Sequence, residues 1–275
     1  MATPDRAALN AHNRQKSHKT RRPLKTYVIT RYKDILAISP RADVFSNARG
    51  IFLNEIKYRE AAGDANFSEG FWPEGGEQIG NTDPPRHQEL RRVSQGAFTI
   101  PAIEAVESKL SAYVNGALDQ MAATGEVDYW DFAASLPIEA ACHLIGLPAT
   151  DRARVQHWSD ELEKLGADIP FEELMAAVAG FDTLKDYITE NVDRRKAERA
   201  AGGEPGLDLI SVLLDAELDG IKGVKLPNVI TFAMTAIAAG ADTTRALLAD
   251  SDDRAHVFRS DAAQRSDLIA RSWST

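Results

Sequence analysis

PNVITFAMTAIAAGADTTRALLA, from Pro227 to Ala249, is the longest apolar helical run in the sequence. Its centre contains a glycine, a carboxylate and two β-branched hydroxyls in succession: Ala239, Gly240, Ala241, Asp242, Thr243 and Thr244. Each of these polar or flexible residues lowers helix stability relative to alanine, and a carboxylate is costly to bury. The pattern therefore indicates that this helix has a role other than packing.

The centre of this helix allows two interpretations. Ala239 and Thr243 are four residues apart and share a face, and the small residues 238–240 would let a flat group approach the backbone. The Thr243 hydroxyl could donate a hydrogen bond to that group or bond back to the Ala239 carbonyl, while Asp242 could pass a proton inward. Alternatively, the small residues serve helix–helix packing, with Asp242 paired to Arg245 or facing solvent. Both interpretations remain open from these residues alone.

A second candidate site lies in the N-terminal half of the chain. Asp83 followed by Pro84 predicts a helix start, with Asp83 as the N-cap side chain, and the helix should run through Phe98. His87 and Arg91 are four residues apart on it and share one face. Two nitrogen donors on one face can bind carboxylates, but for the pair alone a solvated polar face that also includes Glu89 and Arg92 is the favoured interpretation.

The composition limits the classes of function. The 275 residues are 44% hydrophobic and 27% charged, which is ordinary for a globular protein. The formal net charge of −9 argues against nucleic-acid binding. We predict no membrane span and no signal peptide, and hence a cytoplasmic protein. The single cysteine, Cys142, excludes an internal disulfide and a cysteine-clustered zinc site, and we expect it to pack in the core.

The remaining patterns predict a mainly α protein with little sheet. A short strand is expected at Tyr27–Thr30 and another at Val127–Trp130. Residues 1–26 are predicted to form a basic, disordered arm, and residues 63–82 a long loop. The other helices should span approximately 32–39, 101–124, 137–146, 151–165, 171–195 and 207–218.

Taken together, the two sites resemble those of the cytochrome P450 family, the haem-thiolate monooxygenases. AGADTT at 239–244 is similar to the family's oxygen-activation motif, and DPPRHQELRR at 83–92 is similar to its haem-propionate helix. Weaker similarities are YVITRYKDI from Tyr27, DVFSNARG, IGLP and DLISVLLDAELDG. The resemblance covers about 24–248 and implies one domain over 27–249.

The resemblance also implies roles for individual residues. His87 and Arg91 would bind haem propionates, and Ala239 and Gly240 would lie against the porphyrin. Asp242 and Thr243 would deliver protons during dioxygen cleavage. The implied reaction is hydroxylation of a lipophilic small molecule, with electrons from a ferredoxin or reductase.

The sequence also departs from the family pattern. The family's ExxR pair and its cysteine-bearing haem loop have no counterpart here, so no metal ligand is assigned, and Cys142 lacks that loop's flanking residues. Residues 250–275 are predicted to be a divergent tail, disordered or read out of frame after an interrupted gene. We therefore expect an incomplete P450 fold that is catalytically incompetent as it stands. The alternative is a non-catalytic helical remnant or binding protein.

Overall fold

The fold is described from a computed structural model, which covers residues 27–48, 50–52, 72–125, 129–167 and 169–249. Its described helices and strands are α1 (Tyr32–Ile38), α2 (Arg86–Ser94), α3 (Ile100–Thr124), α4 (Tyr129–Ile145), α5 (Arg152–Glu163), α6 (Phe171–Ala200), α7 (Leu209–Asp215), β1 (Glu217–Leu218), β2 (Ile221–Lys222) and α8 (Leu226–Ala249). Short 3₁₀ turns occur at Ile79–Asn81, Gln95–Phe98 and Ala149–Asp151. The two strands form an antiparallel hairpin.

The centre of the core is α8, which packs mainly against α4 and also contacts α5, α6 and α7. Its first half contributes a helical stripe of buried apolar residues: Val229, Ala233, Met234 and Ile237. Spacings of three and four residues place these side chains on one side of a helix, so the sequence pattern itself produces the buried face. The predicted helix over Pro227–Ala249 is confirmed.

The helix boundaries follow the local chemistry of the sequence. Gly125 ends α3 in the left-handed conformation, with φ of 74°, and its N–H donates to the Met121 carbonyl. At the start of α7, the Asp208 carboxylate accepts the Ser211 N–H at 3.0 Å, as an N-cap does. The predicted helices are present, although several of them differ in their bounds.

Three local predictions are wrong. Tyr27–Thr30 forms no strand, because it lies exposed without a neighbouring strand in the described part of the chain. Tyr129 and Trp130 begin α4 instead of ending a strand, while the earlier part of that prediction, 126–128, lies outside the described residues. Asp83 does not cap α2 with its side chain, and α2 begins three residues later, at Arg86.

Some predictions fall outside the part of the chain that the structure describes. These are the basic arm at 1–26, the first part of the predicted loop at 63–71 and the tail at 250–275. They stay predictions. Among the described helices, none combines the length and the apolar character that crossing a bilayer requires.

Candidate functional site

The second half of α8 presents an open patch of small residues. Ala239, Gly240 and Thr243 are exposed, whereas Ala241 faces the core and is buried. A methyl group added at Gly240 would meet no described atom within 4 Å. The backbone of α8 is therefore accessible to a flat group at this point, as the first interpretation of the motif requires.

The Thr243 hydroxyl donates a 2.8 Å hydrogen bond to the Ala239 carbonyl one turn earlier. Of the two bonding modes that the sequence allowed, the structure shows the one within the helix. The hydroxyl proton is thus committed to the backbone, while the oxygen can still accept a hydrogen bond.

Asp242 belongs to α8 by its backbone, and its side chain lies outside the described atoms. Arg245, which the sequence offered as its partner, reaches across to α5. Its guanidinium contacts the carboxylates of Asp160 and Glu163, both at 3.2 Å. These ion pairs tie the end of α8 to α5 and leave the patch itself uncovered.

The second candidate site is the polar face of α2. His87 is half-buried and Arg91 is exposed, four residues apart as predicted. Leu90 and Val93 are buried and anchor the helix to the core. In the described part of the chain, neither the His87 ring nor the Arg91 guanidinium has a hydrogen-bond or ion-pair partner. Both side chains are therefore free to bind an anionic ligand.

The neighbouring Arg86 is, by contrast, fully engaged in structural contacts. It binds the carboxylates of Glu77 at 2.6 Å, Glu89 at 2.9 Å and Asp219 at 2.6 Å. These three acceptors raise the pKa of Arg86 above its ordinary value, with Glu77 the largest cause. Glu89 lies three residues along α2 from Arg86, whereas Glu77 and Asp219 come from separate segments, so helix spacing carries no signal for these two contacts.

The residue predicted to cap α2 instead holds a distant segment. The Asp83 carboxylate accepts hydrogen bonds from the Ser46 hydroxyl and, at 2.9 Å, from the Asn47 N–H. These bonds lower the pKa of Asp83, with the bond from Ser46 the larger cause. The start of α2 is thereby joined to the segment after α1, and helix periodicity carries no signal for such a contact.

The chain is similar to bacterial cytochromes P450 in sequence and in structure. No family model matches the chain. Cytochrome P450 107B1 of Saccharopolyspora erythraea is 29% identical over 256 residues, which cover 89% of this chain and 58% of that protein. Cyclomarin C epoxidase CymV of Salinispora arenicola is 30% identical over 238 residues, covering 85% and 55% respectively. The ligand-free structure of cytochrome P450 TbtJ1 superposes with a TM-score of 0.63 at 26% identity, over 93% of this chain and 62% of that one.

The chain belongs to the cytochrome P450 family. The predicted fold class, a mainly α part of the P450 fold, is confirmed. This P450 chain spans about half the length of the curated relatives that it matches. Proteins of the family bind haem iron.

The residues of this P450 chain fit one part of a haem and not another. The free imidazole and guanidinium on α2 are suited to propionate carboxylates, and the space beside Gly240 admits a flat macrocycle. The only cysteine, Cys142, is completely buried in α4. Burial raises the pKa of the Cys142 thiol to about 12, which disfavours its thiolate form in this fold. The described residues also contain no cluster of three or more metal-ligating side chains.

Proposed function

We propose that this P450 chain provides the propionate-binding and oxygen-side residues of a haem monooxygenase that hydroxylates a lipophilic small molecule. The observation that carries the proposal is the pair of unpartnered cation-forming side chains, His87 and Arg91, in a chain that also has an uncovered Gly240 patch. The names of relatives support the substrate class, among them a methyl-branched lipid omega-hydroxylase of Mycobacterium tuberculosis that is 27% identical. A ferredoxin or reductase would supply the electrons.

Each residue has a separate role in this proposal. His87 and Arg91 bind the two propionates through charge-assisted hydrogen bonds. Ala239 and Gly240 allow the macrocycle to approach the backbone of α8, and bound haem supplies the iron centre for dioxygen chemistry.

Asp242 and Thr243 hold and move the protons in the proposed reaction. The Thr243 hydroxyl must first release the Ala239 carbonyl, to which it donates at 2.8 Å. It can then donate towards the open side of α8 and be reprotonated from Asp242 or through a water molecule.

We also propose that these 275 residues alone do not complete the reaction. A P450 iron requires a thiolate, and Cys142 is buried and protonated. The second candidate function is therefore binding without catalysis. It is favoured by exposed apolar side chains near α1, where Tyr27, Val28 and Tyr32 each have at least three quarters of their surface in solvent.

The proposal can be tested by titrating haem into the purified chain and recording absorption spectra. We expect the haem dissociation constant to rise about tenfold in His87→Ala and in Arg91→Ala, because each substitution removes a charge-assisted hydrogen bond. Arg92→Ala is the matched control, since Arg92 is an exposed neighbour of Arg91 that is not proposed to bind a propionate. Equal effects of all three variants, or no haem uptake at all, would refute the binding role.

Carbon monoxide added to the reduced, haem-loaded chain tests whether the chain supplies the thiolate ligand that catalysis requires. We expect no thiolate-type ferrous–CO band, and identical spectra for the parent and Cys142→Ala. A thiolate-type band that is lost in Cys142→Ala would overturn the proposed incompetence while leaving the propionate roles intact.

A further inference from the structure

A cavity of about 440 Å³ lies between α3, the end of α4, the end of α6 and the segment before α7. It shares no lining residue with the α2 face or with the open patch of α8. Pockets that bind small molecules start at about 300 Å³, so a compact ligand fits.

One part of the cavity lining is apolar. Ala102 and Val106 contribute from α3, Leu144 from the end of α4, Leu147 from the segment just after it, and Leu207 from the segment before α7. Leu147 and Ala102 are buried, and Leu207 is exposed. This lining suits a hydrocarbon body, and the exposed residues mark the opening.

The polar part of the lining is cationic. Lys109, Arg194 and Arg195 line the cavity together with one acid, Asp208, and with His143. Glu198, which is not a lining residue, contacts Arg194 at 2.7 Å and Arg195 at 3.2 Å, so Lys109 is the lining cation that has no ion-pair partner among the described residues. The local charge favours an anionic ligand over a neutral or cationic one.

Arg195 is held in place by a network of protein contacts. Its Nη1 donates to the Asp208 carboxylate and to the Ser211 hydroxyl. The side chain keeps only 15% of its surface in solvent. It therefore forms a preorganised, positively charged wall of the cavity.

Two glycines in the cavity lining make room for this network. Gly146 and Gly206 approach Asp208 so closely that an added methyl group at either position would collide with its carboxylate. Gly146 also has φ of 95°, a conformation that favours glycine. The local sequence thus keeps Asp208, and through it Arg195, in one position.

Of the remaining polar residues in the lining, Lys109 is the least engaged in contacts within the protein. Lys109 is exposed and has no ion-pair partner among the residues that the structure describes. Arg194 contacts Glu198 at 2.7 Å through Nη1 and Asn191 at 2.9 Å through Nη2. His143 contacts Glu139 at 2.9 Å through one ring nitrogen. A carboxylate in the cavity would be a first ionic partner for Lys109.

We propose that this cavity binds a small monocarboxylate with an apolar body, with Lys109 and Arg194 contacting the carboxylate and the α3 residues contacting the hydrocarbon. The ligand would occupy a site separate from the proposed haem site. Binding in the cavity requires no haem.

Octanoate is a suitable probe for this site. Isothermal titration calorimetry of the haem-free chain should show saturable binding of octanoate and none of 1-octanol or octylammonium at the same concentrations. We expect Lys109→Gln to raise the dissociation constant for octanoate about tenfold, because it removes one charged hydrogen-bond donor. Ala105→Trp, at an exposed lining position on α3, should abolish binding by filling the cavity.

Lys196→Gln is the matched control, since Lys196 lies on α6 beside Arg195 and pairs with Asp193 at 3.3 Å outside the cavity. It should bind octanoate as the parent does, and circular dichroism should show the same helix content in all variants. Equal binding of octanol, or octanoate binding unaffected by both Lys109→Gln and Ala105→Trp, would overturn the proposal. These outcomes are independent of the haem titration and so leave the proposed function untouched.

Discussion

The two halves of α8 have opposite surroundings although they form one continuous helix. Between Val229 and Ile237 the helix is mostly buried, and Ala233 and Met234 have no exposed surface at all. Among the side chains described between Ala239 and Thr244, only that of Ala241 is buried. The first half therefore supplies the packing energy, and the second half carries the residues that cost helix stability.

This division explains how α8 tolerates its unusual centre. Glycine costs about 1 kcal/mol relative to alanine in a helix interior, and threonine about half as much. Burying one large apolar side chain contributes about 2 kcal/mol. The first half can offset these local costs, so the second half can retain residues suited to ligand contact.

Met234→Ala, in the buried half of α8, should be strongly destabilising. Truncating a fully buried methionine leaves a cavity, and we expect the free energy of unfolding to fall by about 3 kcal/mol. Urea denaturation followed by circular dichroism measures this difference. The control is Thr244→Ala in the exposed half, which should change stability by less than about 0.5 kcal/mol. Equal losses would contradict the division of α8.

Gly76→Ala tests how tightly the first half is covered. An added methyl group would lie 2.9 Å from the Pro227 carbonyl oxygen and would also collide with the Thr231 hydroxyl. We expect a loss of about 2 kcal/mol in urea denaturation, because a backbone atom cannot move aside easily. Gly180→Ala in α6, where no described atom lies within 4 Å, should instead stabilise the chain. An unchanged free energy of unfolding in Gly76→Ala would show that the segment around Gly76 packs loosely against the first half of α8.

Gly240→Ala should act in the opposite direction in the second half. The new methyl group meets no described atom within 4 Å, so removing the entropy cost of glycine should stabilise the chain by about 0.5–1 kcal/mol. The same variant should bind haem with a higher dissociation constant in the titration, because the methyl group would occupy the space proposed for the macrocycle. A less stable Gly240→Ala variant would mean that other residues cover the patch. An unchanged haem affinity would mean that the macrocycle does not bind beside Gly240.

The smallest expected effect concerns the pH dependence of the anchor at the start of α8. The Glu77 N–H donates to the Asn228 side chain at 2.7 Å, and Arg86 holds the pKa of the Glu77 carboxyl below its ordinary value of 4.5. A lowered folded-state pKa stabilises the chain above the ordinary pKa, and this contribution is lost as the pH falls through the lowered value.

Glu77→Gln should therefore be less stable than the parent near pH 7, by about 0.5 kcal/mol for a partly exposed pair. The difference should shrink as the pH falls below 4.5. Urea denaturation across this range measures it, with Glu74→Gln, an exposed carboxylate nearby, as the control. A difference that grows towards acid pH would reverse the sign of the linkage.

Sequence patterns predicted the fold well where the structural signal was local. The spacing of apolar residues located α8, α3 and α6, and Gly125 marked the end of α3. The failures concern longer-range contacts. Tyr27–Thr30 had strand composition without a described partner strand, and Asp83 used its side chain for Ser46 instead of capping α2.

The candidate site was also predicted only where it depends on neighbouring residues, and not where it depends on longer-range contacts. The sequence placed His87 and Arg91 on one face, and the structure adds that both are unpartnered among the described residues. The sequence could not show that Arg86 is ion-paired while Arg91 is not, because the contacts of Arg86 with Glu77 and Asp219 depend on how loops fold over α2.

By itself, the sequence determined the helical class, the resemblance to the P450 family and the faces shared by the motif residues, because helix periodicity and short motifs are properties of neighbouring residues. Only the tertiary structure decided that Gly240 has open space beside it, that Thr243 donates to Ala239 and that Cys142 is fully buried. Exposure and the choice between alternative hydrogen-bond partners depend on which distant elements pack together.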